Sequence, residues 1–204
     1  MIMKGLGTAL ITPFTEDGKV DFQSLSNLIE HQVAGDTDYL VILGTTSEVP
    51  TLTHQEQNAI IEYVVKQVAG RMPLVLGIGG NSTAAVVERI GELKEQLIAH
   101  FTAILSVTPY YNRPQQEGLY QHFCAVAEVS PVPVILYNVP KRTGVNLLPE
   151  TTRRIYEAHP DKIMGIKEAC NSVEQFTETV NIANGDFAVI SGDDDLAYEM
   201  MEAG

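Results

Sequence analysis

The feature that most constrains this chain is a two-beat rhythm. Short apolar runs suited to buried strands alternate with longer stretches of helical periodicity over the whole length. The strand candidates are Gly7 to Ile11, Tyr39 to Leu43, Leu74 to Ile78, Ala103 to Val107, Val134 to Tyr137, Ile163 to Lys167 and Phe187 to Ser191. Between them lie helix candidates at Asp21 to Val33, His54 to Val68, Thr83 to Leu97, Gly118 to Val129, Pro149 to Ala158 and Val173 to Ile182. Strand ends recur about every 30 residues, the length of one strand–helix unit. Near-continuous apolar strands separated by helices indicate a parallel sheet covered on both faces. Asn81-Ser82-Thr83 and Asn171-Ser172 offer N-cap side chains to the helices after the third and sixth strands. Pro149 and Glu150 suit a first helical turn.

Two architectures accept this rhythm. A doubly wound open sheet normally carries a glycine-rich nucleotide loop after an early strand. Here the first loop is Thr12-Pro13-Phe14-Thr15, and Gly77-Ile78-Gly79-Gly80-Asn81 lacks the GxGxxG spacing. The other is a (β/α)8 TIM barrel of ~250 residues. The chain fits that α/β fold without its last βα unit and C-terminal helical region. No Ser/Gly/Pro-rich linker interrupts the series, so residues 1–204 read as a single, incomplete barrel domain.

Composition narrows function by exclusion. A formal charge of −13 argues against nucleic acid as a partner. No run of about 18 apolar residues is present to span a membrane, and the N-terminus lacks signal-peptide organisation, so a cytoplasmic location is expected. Cys124 and Cys170 are too few and too far apart for a disulfide scaffold, and Cys170 reads as a buried free thiol. The five histidines show no HExxH or paired spacing, so no metal site is expected.

In a barrel the working groups lie at the C-terminal strand ends. Here those ends are Thr12-Pro13, Gly44-Thr45-Thr46-Ser47-Glu48, Gly79-Gly80-Asn81, Thr108-Pro109-Tyr110-Tyr111-Asn112, Tyr137-Asn138, Lys167-Glu168 and Ser191-Gly192-Asp193. Lys167 closes an apolar strand, and two readings of it stand. It is a strand-end cation paired with Glu168, or a desolvated amine with a lowered pKa that attacks carbonyls to form a Schiff base. Tyr137 is either a core-edge tyrosine or a proton carrier, and Thr45 and Thr46 either cap the next helix or face a ligand. The run Asp193-Asp194-Asp195 suggests a cation, or N-capping of the following helix.

Four segments together carry a resemblance. They are Gly44 to Glu48, Thr108 to Pro114, Tyr137 to Gly144 and Gly165 to Ala169 (Gly-Ile-Lys-Glu-Ala), and they resemble the dihydrodipicolinate synthase family of the N-acetylneuraminate lyase superfamily. The likeness runs over essentially the whole chain. It implies a class I aldolase-type synthase of lysine and diaminopimelate biosynthesis that condenses pyruvate with L-aspartate 4-semialdehyde into 4-hydroxy-tetrahydrodipicolinate. No cofactor is implied, since pyruvate is held as a covalent imine on Lys167. Tyr137, Thr45 and Tyr111 would form the proton relay, with Tyr111 reaching in from a neighbouring subunit. Thr46 and Gly192 would line the pyruvate pocket, and Arg142 would take the semialdehyde carboxylate. A homo-oligomer, a dimer of tight dimers, is implied as well.

The resemblance also marks departures. Ser47 stands where the family usually has a second glycine, so the loop is expected to shift slightly or to add a hydroxyl to the site. Positions of a lysine-effector site match His54, Asn81 and Tyr110, but Gln57 and Ala85 stand where lysine-sensitive forms carry a histidine and a glutamate. Two alternatives remain open at this stage: a sugar-acid aldolase or keto-acid dehydratase of the same superfamily, and a catalytically silent fragment.

Overall fold

A computed structural model describes residues 3–93, 95–182 and 187–204. Seven strands occur in the expected places: β1 (Gly7–Ala9), β2 (Tyr39–Ile42), β3 (Leu74–Gly77), β4 (Ala103–Val107), β5 (Val134–Asn138), β6 (Ile163–Glu168) and β7 (Ala188–Ser191). The helices are α1 (Phe22–Ala34), α2 (His54–Val68), α3 (Thr83–Glu92), α4 (Glu95–Ile98), α5 (Gln116–Val129), α6 (Pro140–Thr143), α7 (Pro149–Ala158), α8 (Val173–Val180) and α9 (Ala197–Ala203). Parallel strands that follow one another in chain order with intervening helices make an α/β fold of the (β/α)8-barrel type without its last βα unit. Among the described residues, no helix is long and apolar enough to cross a membrane.

Chain contacts group the protein into two compact units. One comprises Lys4–Gly77 and Leu93–Ala103. In it β1 pairs with β2 and β2 with β3, all parallel. Its core is apolar on both faces of β2, and Leu25, Ile29, Leu40, Ile42, Ile61 and Leu76 are fully buried. Local chemistry fixes its helices. Asp21 caps α1 by accepting from the amides of Gln23 and Ser24, and Thr53 forms a reciprocal capping box with Glu56 at the start of α2.

The other unit contains Ile78–Glu92 and Ile104–Gly204. There β4, β5, β6 and β7 pair in sequence, all parallel. Phe123, Ile104, Leu119, Ile135, Leu136 and Leu147 fill its core. The expected caps form: Ser82 Oγ accepts from the Ala85 amide ahead of α3, and Ser172 Oγ accepts from Gln175 at 3.1 Å ahead of α8. Pro149 opens α7. The stretch expected as one helix from Thr83 to Leu97 is instead two, α3 and α4.

Candidate active site

The residues with catalytic character in the second unit converge on the C-terminal ends of β5, β6 and β7. What brings them together is a bulge. Val134 lies opposite Ile163, but Ile135 lies opposite Gly165, so Met164 is an extra residue in β6. Without it Tyr137 would face Ile166, and Lys167 would point to the other side of the sheet. With it Tyr137 pairs with Lys167, and Asn138 with Glu168. Glycine is required just past the bulge, because a Cβ on Gly165 would lie 2.4 Å from the carbonyl oxygen of Ala188.

Lys167 is half-buried, with its Nζ 5.0 Å from the centroid of the buried Tyr137 ring. Burial pushes its pKa below the ordinary lysine value, against the opposing carboxylates of Asp194 and Asp193. Gly192 closes the other side. A Cβ there would stand 2.9 Å from Lys167 Cε and 3.2 Å from Cγ, and its N–H donates to the Glu168 carbonyl at 2.8 Å. Lys167, Tyr137 and Gly192 are therefore one contiguous group.

Of the two readings of Lys167, the pairing with Glu168 does not form. Consecutive strand residues point to opposite faces, and Glu168 is fully buried on the far side, where Oε1 accepts from Asn138 Nδ2 at 2.8 Å and Oε2 from Gln175 Nε2 at 3.2 Å. Burial pushes the Glu168 carboxyl up to about 7, against the lowering effect of hydrogen bonds from Asn138, Gln175 and Cys170. Cys170 is a free, half-buried thiol pushed up to about 12, first by burial and then by Glu168. The aspartate run does not cap the following helix through its leading residue. Asp193 makes no side-chain cap bond, and its carboxylate instead accepts the Asn171 N–H at 3.0 Å, where Asn171 sits at φ 60°.

The remaining candidates of this unit lie on loops after the strands. Tyr111 is 88 % exposed at φ 74°, a left-handed conformation unusual for tyrosine. Asn112 Nδ2 donates to the Asn81 carbonyl at 2.9 Å and its backbone N–H to the Tyr110 carbonyl at 2.9 Å, so Asn81 and Tyr110 are tied through Asn112. Arg142 lies exposed on α6; its backbone N–H donates to the Val139 carbonyl at 2.9 Å, and its guanidinium makes no hydrogen bond or ion pair among the described residues. Its neighbour Lys141 is engaged with Asn171 Oδ1 at 3.0 Å.

Thr45, Thr46 and His54 belong to the other unit. Thr45 and Thr46 are exposed on a 3-10 turn, Thr45–Ser47, directly after β2, and His54 is exposed at the first position of α2. Neither threonine caps α2, which Thr53 does. The turn's departure from the family's glycine has a structural role. Ser47 is buried, its Oγ donates to the Leu10 carbonyl at 2.6 Å, and its own carbonyl accepts Thr12 Oγ1 at 2.8 Å. The left-handed residue is the next one, Glu48 at φ 56°, so position 47 has no need of glycine. The serine hydroxyl is turned inward to β1 and is spent on that bond. Gln57 is likewise engaged locally, donating to the Leu52 carbonyl at 3.1 Å, while Ala85 is exposed on α3.

Sequence reasoning missed the polar set behind the pair: Asn138, Asn146, Glu168 and Gln175. A signal for half of it was present, because Asn138 and Glu168 are polar residues one step past Tyr137 and Lys167 on two otherwise apolar strands. Asn146 and Gln175 carry no such signal.

The family model described as the dihydrodipicolinate synthetase family matches residues 2–204. A 4-hydroxy-tetrahydrodipicolinate synthase of Parabacteroides distasonis is 50% identical over 202 residues, covering 99% of this chain and 67% of its own length. The structure of the corresponding synthase from Methylacidiphilum fumariolicum superposes with a TM-score of 0.93 at 38% identity, over 99% of this chain and 66% of that one. A chloride-inhibited dihydrodipicolinate synthase from Acinetobacter baumannii, complexed with pyruvate, gives a TM-score of 0.91 at 41% identity over 98% of this chain and 67% of that one. The chain thus spans about two thirds of the length of the relatives it matches. It belongs to the dihydrodipicolinate synthetase family.

Proposed function

We propose that this chain carries the Schiff-base centre of a pyruvate-dependent synthase that makes 4-hydroxy-tetrahydrodipicolinate in lysine and diaminopimelate biosynthesis. The observation that carries the proposal is the Lys167 amine, desolvated and set 5.0 Å from the Tyr137 ring centroid, in a chain of this family. Nζ attacks C2 of pyruvate, and loss of water leaves an imine. Loss of a C3 proton gives the enamine. The C3 carbon then adds to the aldehyde of L-aspartate 4-semialdehyde, and the substrate's own amine attacks C2 and displaces Lys167 as the heterocycle closes. Tyr137 moves the protons these steps require. Thr45 and Tyr111 extend the relay to solvent, and Thr46 and Gly192 belong to the pyruvate site. The support for Thr45, Thr46 and Tyr111 is the family's motif pattern in this sequence, and the named pyruvate complex of the Acinetobacter relative supports the choice of keto acid.

Arg142 supplies the fork for the second substrate's carboxylate, since its guanidinium is exposed and without a protein partner among the described residues. A single barrel domain over residues 1–204 working as a homo-oligomer completes the proposal. The single domain is supported by one family model running over residues 2–204. No external cofactor is required, and His54, Asn81 and Tyr110 remain the proposed lysine-effector positions. Turnover with pyruvate and L-aspartate 4-semialdehyde tests the reading. Formation of the heterocycle supports it, and cleavage of a sugar acid without that condensation would move the chain to the lyase branch of the superfamily.

A further inference from the structure

On the face of β5 and β6 opposite the Lys167–Tyr137 pair lies a closed polar set that the proposed chemistry never touches. Asn138 Nδ2 approaches Glu168 Oε1 at 2.8 Å and Asn146 Oδ1 at 2.7 Å, while Asn138 Oδ1 accepts the Leu147 N–H at 2.9 Å. Gln175 on α8 donates to Glu168 Oε2 at 3.2 Å, to Asn146 Oδ1 at 3.1 Å and to the Leu147 carbonyl at 3.2 Å. Its Oε1 takes a hydrogen bond from Asn146 Nδ2 at 2.7 Å. We propose that Asn138, Asn146, Glu168 and Gln175 are positioning residues that lock β5 and β6 in the one register that sets Tyr137 against Lys167. This rests on the imine chemistry proposed above.

The register needs a lock because the apolar residues alone do not choose it. The pairing of Val134 with Ile163, continued without a bulge, would place Tyr137 opposite Ile166 and Asn138 opposite Lys167. Apolar residues still face one another in that slip, since Ile135 would meet Met164 and Tyr137 would meet Ile166, while Leu136 would exchange Ile166 for Gly165. The polar set does not survive it. Asn138 and Glu168 are both fully buried, and both carboxyl oxygens of Glu168 are filled by amide donors. A slipped strand strands a buried carboxyl and a buried carboxamide without partners, a heavy penalty in a low-dielectric interior. The lock reaches further than the two strands. It ties them to Asn146 and Leu147, just beyond the Arg142 turn that ends at Gly144 (φ 73°), and Gln116 of α5 braces the same segment through the Asn146 carbonyl at 2.8 Å and the Leu148 amide at 3.2 Å.

The hydrogen bonds are directional, and this gives a sharp test. Asn138→Asp sets two carboxyl groups against each other, and Glu168→Gln leaves one acceptor oxygen for the two donors Asn138 Nδ2 and Gln175 Nε2. Asn138→Asp combined with Glu168→Gln restores a donor facing an acceptor with the roles exchanged. In the full chain, borohydride trapping of pyruvate is expected to slow by about 10- to 100-fold in each single variant, the cost of misplacing reacting groups by roughly an ångström. The double variant is expected to recover most of that rate. Pyruvate concentration for half-saturation should stay near that of the unmodified chain throughout, because the loss lies in alignment. Gln175→Met removes one corner and keeps the shape; it is expected to slow trapping several-fold and to lower the melting temperature less than either single change at Asn138 or Glu168.

Hydrogen exchange of the amides at the ends of β5 and β6 reads the register without any reaction. It should accelerate in the singles and return in the double. A double variant no faster than the slower single, or unchanged trapping in Gln175→Met, overturns the proposal, as do singles that exchange like the unmodified chain. If the singles fail to fold while the double folds, the pairing is upheld. If all three fail, Gln175→Met decides. An unmodified chain that traps no pyruvate would sink the reaction proposed above, and exchange would then decide the lock by itself.

Discussion

Lys167 is confined from two sides by residues of opposite character. The Tyr137 ring covers it on the β5 side, and the bare backbone of Gly192 meets its aliphatic stem on the β7 side. Gly192 does not adopt a left-handed conformation, so the backbone tolerates alanine and only the contact changes. The Gly192→Ala variant is therefore expected to fold with a stability loss of about 1–3 kcal/mol, since the added Cβ meets Ala169 Cβ at 3.0 Å as well as the flexible Lys167 stem. Trapping of pyruvate should nevertheless fall about 10- to 100-fold, as Nζ is displaced. Paired denaturant melts and trapping rates check this, and equal trapping would remove Gly192 from the site. The lysine itself was legible as a residue out of place at the end of an apolar strand. Its relation to Glu168 was not, because adjacency in sequence says nothing about a pair that alternation sends to opposite faces of a sheet.

At the scale of elements, hydrophobic period and caps placed every strand within a residue or two and reproduced the bounds of β4, α2 and α7. The short α6 escaped because Pro-Lys-Arg-Thr is one turn long and has no period to read. The bulge at Met164 escaped as well, since it is a property of pairing between strands far apart in the chain. Ser47 was visible as a departure, but its consequence was not. Its hydroxyl reaches the Leu10 carbonyl, a partner 37 positions away. Returning the position to the family's glycine, Ser47→Gly, should cost about 1–2 kcal/mol, from a lost buried hydrogen bond and a freer unfolded chain. Urea melts measure that loss. A neutral or stabilising substitution would show that the inward hydroxyl contributes nothing to the tie between the β2 turn and β1.

For the whole molecule, His122 on α5 gives stability a pH dependence. It is buried, its Nδ1 lies 2.9 Å from Thr83 Oγ1, and its Nε2 has no hydrogen-bond partner among the described residues. Burial lowers its pKa from 6.5 to about 4. The folded state therefore binds its proton more weakly than the unfolded chain does. The contribution is fully present above pH 6.5 and is lost as pH falls through about 4. The difference amounts to about 3 kcal/mol. His122→Leu removes the titration, so the stability gap between it and the unmodified chain should shift in the variant's favour by up to that amount from neutral pH to pH 4. A gap independent of pH would show that His122 is not held neutral by the fold.

The claim on which the rest depends is that Lys167 is the imine-forming residue, and its most direct test is the mass of peptides from the 204-residue chain after borohydride reduction with pyruvate. The account predicts a reduced pyruvate adduct on the peptide containing Lys167, formed at pH values where an ordinary lysine stays protonated, and absent from Lys167→Ala. An adduct on another lysine, or none while the chain melts cooperatively, would contradict it.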